Sequence, residues 1–193
     1  SPGAYSALNE SWNGSAWTET GDLNTARSHV MGAGISTSAM AAGGYNPPYP
    51  SPAIGNNVET FDGSSWTETT EFNTARASGG SGGATNTQVL IFGGTTPPST
   101  AKTESWDGSS WTEVNDLSSA ITEQGGLGTY TSALSFGGGP GPGPVTTATE
   151  EWSFPSPTAV QIGQVWNKTE TTTYKAHVAQ GTGSWSSGGN VNT

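Results

Sequence analysis

The sequence holds no cysteine among its 193 residues. Disulfides, thiol nucleophiles and thiolate metal sites are therefore excluded together. Histidine is nearly absent as well. His29 and His177 are the only two; they share no metal-ligand spacing and read as surface or loop residues, so no metal and no cofactor is expected. Charge is scarce and one-sided, with 5 Lys and Arg against 15 Asp and Glu and a net charge of −10. That balance argues against binding nucleic acid through its phosphates. No apolar run reaches the length of a membrane span, and no signal peptide is read at Ser1. Helical periodicity is missing throughout. Hydrophobic content is only 31%, a level shared with disordered chains.

What the chain does have is 29 Gly, 12 Pro and 8 Trp, with abundant Ser and Thr. Glycine-rich and tryptophan-rich sequence with regular turn signals points to an all-β fold. The aromatics are placed by a repeat, which argues against disorder. Residues 104–117 read ESWDGSSWTEVNDL, residues 10–23 read ESWNGSAWTETGDL, and residues 59–72 read ETFDGSSWTETTEF. Self-similarity at this period marks a repeat architecture.

Each copy reads as a tight β-hairpin. Asn13-Gly14, Asp62-Gly63 and Asp107-Gly108 supply the positive φ of a type I′ turn. In a two-residue or a four-residue loop, the pairs Trp12/Trp17, Phe61/Trp66 and Trp106/Trp111 each share one sheet face. Each ring carries about 150–250 Å² to bury, and an isolated hairpin has no surface to bury it against. Neighbouring copies do.

A second block follows each hairpin: GAGISTSAMAAGG over 32–44, GGATNTQVLIFGG over 82–94 and GLGTYTSALSFGG over 126–138. Each reads as a glycine-rich turn, then a short apolar strand (Ala39–Ala42, Val89–Phe92, Ala133–Phe136), then Gly43-Gly44, Gly93-Gly94 or Gly137-Gly138. Continuous apolar strands are expected to be buried on both faces. The glycine pair leaves room for a turn or a close approach of backbones. Variable Pro- and Gly-rich loops come next, at Tyr45–Val58, Thr95–Lys102 and Gly139–Ala148. A fourth copy opens at Trp152 and resumes at Trp185. The expected organisation is thus 1–153 as repeated blades, 154–183 as an inserted hairpin or loop, and 184–193 as a final strand resuming the repeat.

Four strands per unit, a Gly-Gly ending the second, an aromatic on the third (Trp12, Phe61, Trp106, Trp152) and a Trp on the fourth (Trp17, Trp66, Trp111, Trp185) resemble the kelch repeat. The resemblance implies a β-propeller of four-stranded blades, about three and a half of them in this chain. A propeller usually closes with at least four, so the chain is expected to be a segment of a longer polypeptide or to be completed by a second chain. The near-identical units also resemble kelch-like virion proteins of marine bacteriophages. Gly163–Thr169 with Tyr174-Lys175 is similar to a short hairpin of phage tail and fibre proteins. The resemblance implies a non-enzymatic protein of the virion surface, extracellular, whose partners are other virion proteins, further copies of itself or a host-surface glycan.

Candidate chemistry is thin. Glu10, Glu59, Glu104 and Glu150 precede the aromatic by two, and Glu19, Glu68 and Glu113 follow the second Trp by two. Paired carboxylates suit glycosidase chemistry, but acids repeated in every copy follow the repeat geometry. The first set is expected to bind backbone N–H groups or arginine between blades. Arg27 and Arg76 recur after the fourth strand, and Ile121 stands there in the third copy. Tyr45 and Tyr49, among prolines, are the expected ligand-binding residues, with ordinary loop packing as the alternative. Trp166 and Tyr174 are further candidates, or a cross-strand pair. Three functions remain open: adhesion, structural assembly such as capsid decoration, and carbohydrate-active chemistry.

Overall fold

The computed structural model describes residues 5–48, 53–154 and 183–187; the inserted segment lies outside them. The fold is all-β. The described residues form fourteen strands: β1 Glu10–Trp12, β2 Trp17–Glu19, β3 Met31–Ile35, β4 Ser38–Asn46, β5 Ala53–Phe61, β6 Trp66–Thr69, β7 Gly80–Thr85, β8 Gln88–Phe92, β9 Thr103–Trp106, β10 Trp111–Val114, β11 Gly125–Thr129, β12 Ser132–Phe136, β13 Thr149–Ser153 and β14 Ser184–Ser187. They form a two-stranded sheet, β1-β2, and three four-stranded antiparallel sheets, β3-β4-β5-β6, β7-β8-β9-β10 and β11-β12-β13-β14. Each four-stranded sheet is a blade, and β7 packs between β3 and β11 as the innermost strands.

The hairpins pair Trp12 with Trp17, Phe61 with Trp66, and Trp106 with Trp111. Their loops therefore contain four residues, and the expected type I′ turn does not form. Only Gly14, Gly63 and Gly108 take positive φ, at 99°, 100° and 97°. The residue before each glycine acts through its side chain. Asn13 Oδ1 accepts from the Ser15 and Ala16 amides at 2.9 and 3.0 Å. Asp62 Oδ1 accepts from Ser64 and Ser65 at 2.9 Å each, and Asp107 Oδ1 from Ser109 and Ser110 at 2.8 Å each. These are Asx-type turns, in which a short carbonyl or carboxylate replaces a backbone acceptor.

The first half of each 13-residue block is also not a turn. It lies on the innermost strand, at Met31–Ile35, Gly80–Thr85 and Gly125–Thr129. Glycine recurs there because neighbouring backbones come too close for a side chain. A Cβ on Gly126 would fall 2.4 Å from the Ser81 nitrogen, and one on Gly82 would fall 3.0 Å from the Ala133 methyl. Gly32, at the same position of the first copy, has nothing nearer than 3.9 Å, since β3 has an inner neighbour on one side only among the described residues.

The apolar second strands form the core. Met40 and Ala42 on β4, and Val89, Leu90, Ile91 and Phe92 on β8, are all buried. On β12, Ala133 is buried but Leu134 and Phe136 are only half-covered. That strand is not buried on both faces as expected, because no further sheet stands beyond it among the described residues. Burial of the ring pairs follows the same rule. Trp106, Trp111 and Phe61 are buried and Trp152 is 1% exposed, whereas Trp12 and Trp17 remain 48% and 64% exposed. The first pair stacks on itself at 5.5 Å with no preceding four-stranded sheet to lean on among the described residues, which corrects the expectation that every pair is buried.

Two predictions follow from this geometry. Gly126→Ala should destabilise the chain by about 1–3 kcal/mol through overpacking, while Gly32→Ala should be near neutral, both read from urea midpoints. The second concerns acid. Amide donors from Ser65 and Ser64 hold the Asp62 carboxyl down from 3.8 to about 2, and those from Ser110 and Ser109 do the same at Asp107. A folded value below the unfolded one gives stability that is complete above pH 3.8 and lost as pH falls through about 2. Amide exchange in loops 62–65 and 107–110 should rise across that window. Loop 13–16, where Asn13 makes the same bonds without a charge, should not respond.

Candidate functional site

Two regions hold the sequence's candidate residues: the joints between blades and the face that carries the variable loops. The joints are built from the repeated acids. Glu59 on β5 is fully buried. Its Oε2 accepts from the Asn24 amide at 2.6 Å and from Asn24 Nδ2 at 2.9 Å. Its Oε1 accepts from the Thr25 amide at 3.3 Å and Arg27 Nη2 at 2.8 Å. Glu104 on β9 repeats the set, with the Asn73 amide and Nδ2 at 2.7 Å each, Thr74 at 3.2 Å and Arg76 Nη1 at 3.0 Å. In both, the connection leaving one blade is tied to a carboxylate in the next, as expected from the residues.

The arginines reach further. Arg27 Nη1 also donates to the Gly43 and Asn57 carbonyls at 3.1 and 2.9 Å, and the Arg76 guanidinium lies 5.4 Å from the Phe72 ring centre. Burial pushes both guanidinium groups below their ordinary value, and the adjacent carboxylates oppose that shift. Both pairs have fully buried side chains. Removing one partner of such a pair strands a charge without solvent.

The glycine pairs belong to the same joints. Gly44 N donates to the Arg76 carbonyl at 3.1 Å, and Gly94 N to the Ile121 carbonyl at 2.7 Å. A Cβ on Gly43 would lie 2.4 Å from that Arg76 oxygen, and one on Gly93 would lie 2.9 Å from the Ile121 oxygen. Gly43, Gly44, Gly93, Gly94, Gly137 and Gly138 all take positive φ. In the first copy the strand does not end there. A bulge at Gly43 carries β4 on to Asn46, pairing Gly44 with Gly55 and Tyr45 with Ile54. Tyr45 thus belongs to a strand and not to a variable loop.

Tyr45 is half-buried and meets the His29 ring edge-on at 5.3 Å. Its backbone exchanges hydrogen bonds with Ser28 at 2.9 and 3.2 Å. Tyr49, Trp166 and Tyr174 lie outside the described residues, as does His177. Of the four expected ligand-binding residues, only Tyr45 is placed.

One feature of the loop face was not read from the sequence. His29, Ser78 and Glu123 occupy the same position in successive copies, and each takes a left-handed conformation with φ of 55°, 56° and 60°. Their backbones are linked: Ser78 N donates to the His29 carbonyl at 3.0 Å, and Glu123 N to the Ser78 carbonyl at 2.8 Å. Three different residues there carry no common sequence signal. Side chains at such backbone positions are uncommon, with asparagine, aspartate and histidine the most frequent after glycine, and they recur at functional surfaces.

The ring pairs hold the blades to each other. Trp111 packs on Phe72 of the preceding connection at 5.8 Å, and Trp185 packs on Phe92 at 4.8 Å. Trp106, Trp111 and Trp152 donate their indole N–H to the carbonyls of Asn86, Thr70 and Tyr130, and Trp185 to Thr103 Oγ1. Trp152 stands opposite Trp185 in register.

These geometries assign Glu59 and Glu104 to the scaffold. Glu59→Gln should lower stability by about 3–5 kcal/mol, since Arg27 would be left buried without its counter-charge. Glu104→Gln should behave alike. Equilibrium unfolding in urea measures both, and a neutral result at either position would remove the ion pair from the account of the joints.

No protein-family model matches the chain, and no curated protein matches it. Among solved structures, it is similar to the one described as "Structure of YjhT", with a TM-score of 0.65 and 14% identity over 76% of this chain and 49% of that one. The chain spans about half the length of that neighbour. At this identity, the likeness is one of fold: all-β, with blade-like antiparallel sheets.

Proposed function

We propose that this chain is a set of kelch-like propeller blades from a phage virion surface protein, and that it acts by binding and not by catalysis. The scaffold presents its loop face to a host-surface glycan or to another virion protein. What carries this reading is the state of the repeated carboxylates. Glu59 and Glu104 are each taken up by three amide donors and an arginine, which leaves neither free to act as a general acid or base. The loops that follow the glycine pairs vary most between copies, and loops on a rigid repeat scaffold are where recognition is usually placed. The virion assignment rests on the resemblance of the repeat units to phage proteins.

The strong acidic balance disfavours polyanionic glycans through like-charge repulsion. A neutral glycan suits the face better, with aromatic edges such as Tyr45 offering an apolar contact. A structural role in assembly, without a host ligand, is the second reading. It is favoured by Tyr45 being half-buried against His29 and not standing free.

Binding to a glycan array and to whole host cells tests the reading. The expected result is saturable binding that weakens at least about tenfold when Tyr45 and Tyr49 are both replaced by Ala, equivalent to about 1.4 kcal/mol. Retention in virions without any glycan or cell binding would move the function to assembly. Release of reducing ends from a polysaccharide would overturn the non-enzymatic reading.

A further inference from the structure

The third joint departs from the other two. Ile121 takes the arginine position, and the backbone proves the correspondence. Arg27 N donates to the Ser6 carbonyl at 3.0 Å, Arg76 N to the Gly55 carbonyl at 3.2 Å, and Ile121 N to the Thr100 carbonyl at 3.3 Å. The carboxylate is nevertheless kept. Glu150 on β13 is only 8% exposed, and among the described residues its two oxygens accept from a single amide, Ser118, at 2.9 and 3.2 Å. Its counterparts each hold three further donors.

Beside it stands an unused hydroxyl. Ser135 faces Glu150 in the β12–β13 register and is 1% exposed, and its Oγ has no hydrogen-bond partner among the described residues. The same position is Ala41 in the first block and Ile91 in the second. The Ile91 carbonyl accepts Arg76 Nη2 at 3.5 Å. A cavity of about 270 Å³ opens here, lined by Ser118, Ile121, Ser135, Thr146, Ala148 and Glu150. A buried serine without a partner requires an explanation. So does a nearly buried carboxylate with most of its lone pairs free.

We propose that this cavity binds an alkylguanidinium cation, supplied from outside the fold, in the place that Arg27 and Arg76 fill from within it. The planar group would lay parallel N–H donors on the Glu150 carboxylate. A further N–H would meet Ser135 Oγ. Ile121 and Ala148 give the alkyl stem an apolar wall. A divalent metal fits less well, since calcium requires six to eight oxygen ligands and Glu150 is the one carboxylate on the lining. The ligand is either a free small cation or an arginine side chain of a partner protein; the chemistry is the same.

Calorimetric titration of the whole chain with ethylguanidinium and, separately, with the capped peptide acetyl-Gly-Arg-Gly-amide tests the site, with ethylammonium as the control. The expected result is one saturable site that prefers guanidinium over ammonium. Glu150→Gln should weaken it at least about tenfold, in line with the loss of a charge-assisted pair. Ser135→Ala should weaken it less, and Ile121→Arg should abolish it by filling the cavity from within. Circular dichroism and tryptophan emission verify that each variant is folded, and the Glu150 and Ser135 variants suffice if Ile121→Arg does not fold. A peptide that binds more tightly than ethylguanidinium points to a partner's arginine, and the reverse order points to a free cation. No saturable heat below unfolding concentrations, undiminished binding in Glu150→Gln, or calcium in place of guanidinium at the same carboxylate would each overturn the proposal.

Discussion

Glu59 and Glu104 each draw the turn and the arginine of the preceding repeat into a site from which solvent is excluded. The four donors on each carboxylate come from three residues within a four-residue stretch, Asn24–Arg27 or Asn73–Arg76. That arrangement satisfies amides that would otherwise be buried without partners in a loop. It also fixes where one blade stands relative to the next. The net stabilisation from a buried ion pair is small, because desolvation opposes the Coulomb gain. Its larger effect is on specificity: any other register between blades would leave both charges buried and unpaired.

With the joints fixed, the glycines follow. The Arg76 and Ile121 carbonyls crowd the places that Cβ atoms of Gly43 and Gly93 would take, and the inner strands β7 and β11 approach each other too closely for a side chain at Gly126. A chain that is 31% hydrophobic cannot rely on bulk alone to bury its blades. It relies on backbone contact, made close by glycine, and on a few large rings. Where the described residues supply no neighbouring sheet, large side chains stand exposed: Trp12 and Trp17 on the first hairpin and Leu127 on β11. Burial in this fold is thus a property of adjacency between copies and not of any copy alone.

Much of this was legible in the residues. The five-residue spacing of Trp12/Trp17, Phe61/Trp66 and Trp106/Trp111 placed each pair on one sheet face, although it left the loop at two or four residues, and the repeated Glu and Arg announced a joint. Less was legible where one residue type serves two ends. Glycine at 32, 82 and 126 signals a turn by local rules, but Gly126 answers to Ser81 on a neighbouring strand some 45 residues away, which no local window contains. Asn13, Asp62 and Asp107 favour a type I′ turn with their glycines, yet the serines that follow offer amides to the side-chain oxygen, and a wider loop results. Tyr45 followed a glycine pair and looked like loop, because the bulge that prolongs β4 depends on pairing with Gly55. The left-handed ring of His29, Ser78 and Glu123 left no trace at all, since the backbone position repeats while the residue type does not.

Repetition also sets where recognition can arise. A feature present in every copy is needed by every joint, and altering it disturbs the scaffold. Features free to take on a ligand must therefore lie where the copies diverge. Two such divergences meet in one place. The variable loop Gly139–Ala148 contributes Pro140, Thr146 and Ala148 to the wall of the cavity that the change from arginine to Ile121 opens. Gln124 replaces the glycine found at position 79 and donates to the Phe92 carbonyl of the preceding sheet at 2.9 Å. Ile121 instead joins an apolar cluster that includes Leu90, Phe92 and Trp152. The carboxylate of Glu150 is thereby released from a purely structural task, while Glu59 and Glu104 remain bound to theirs.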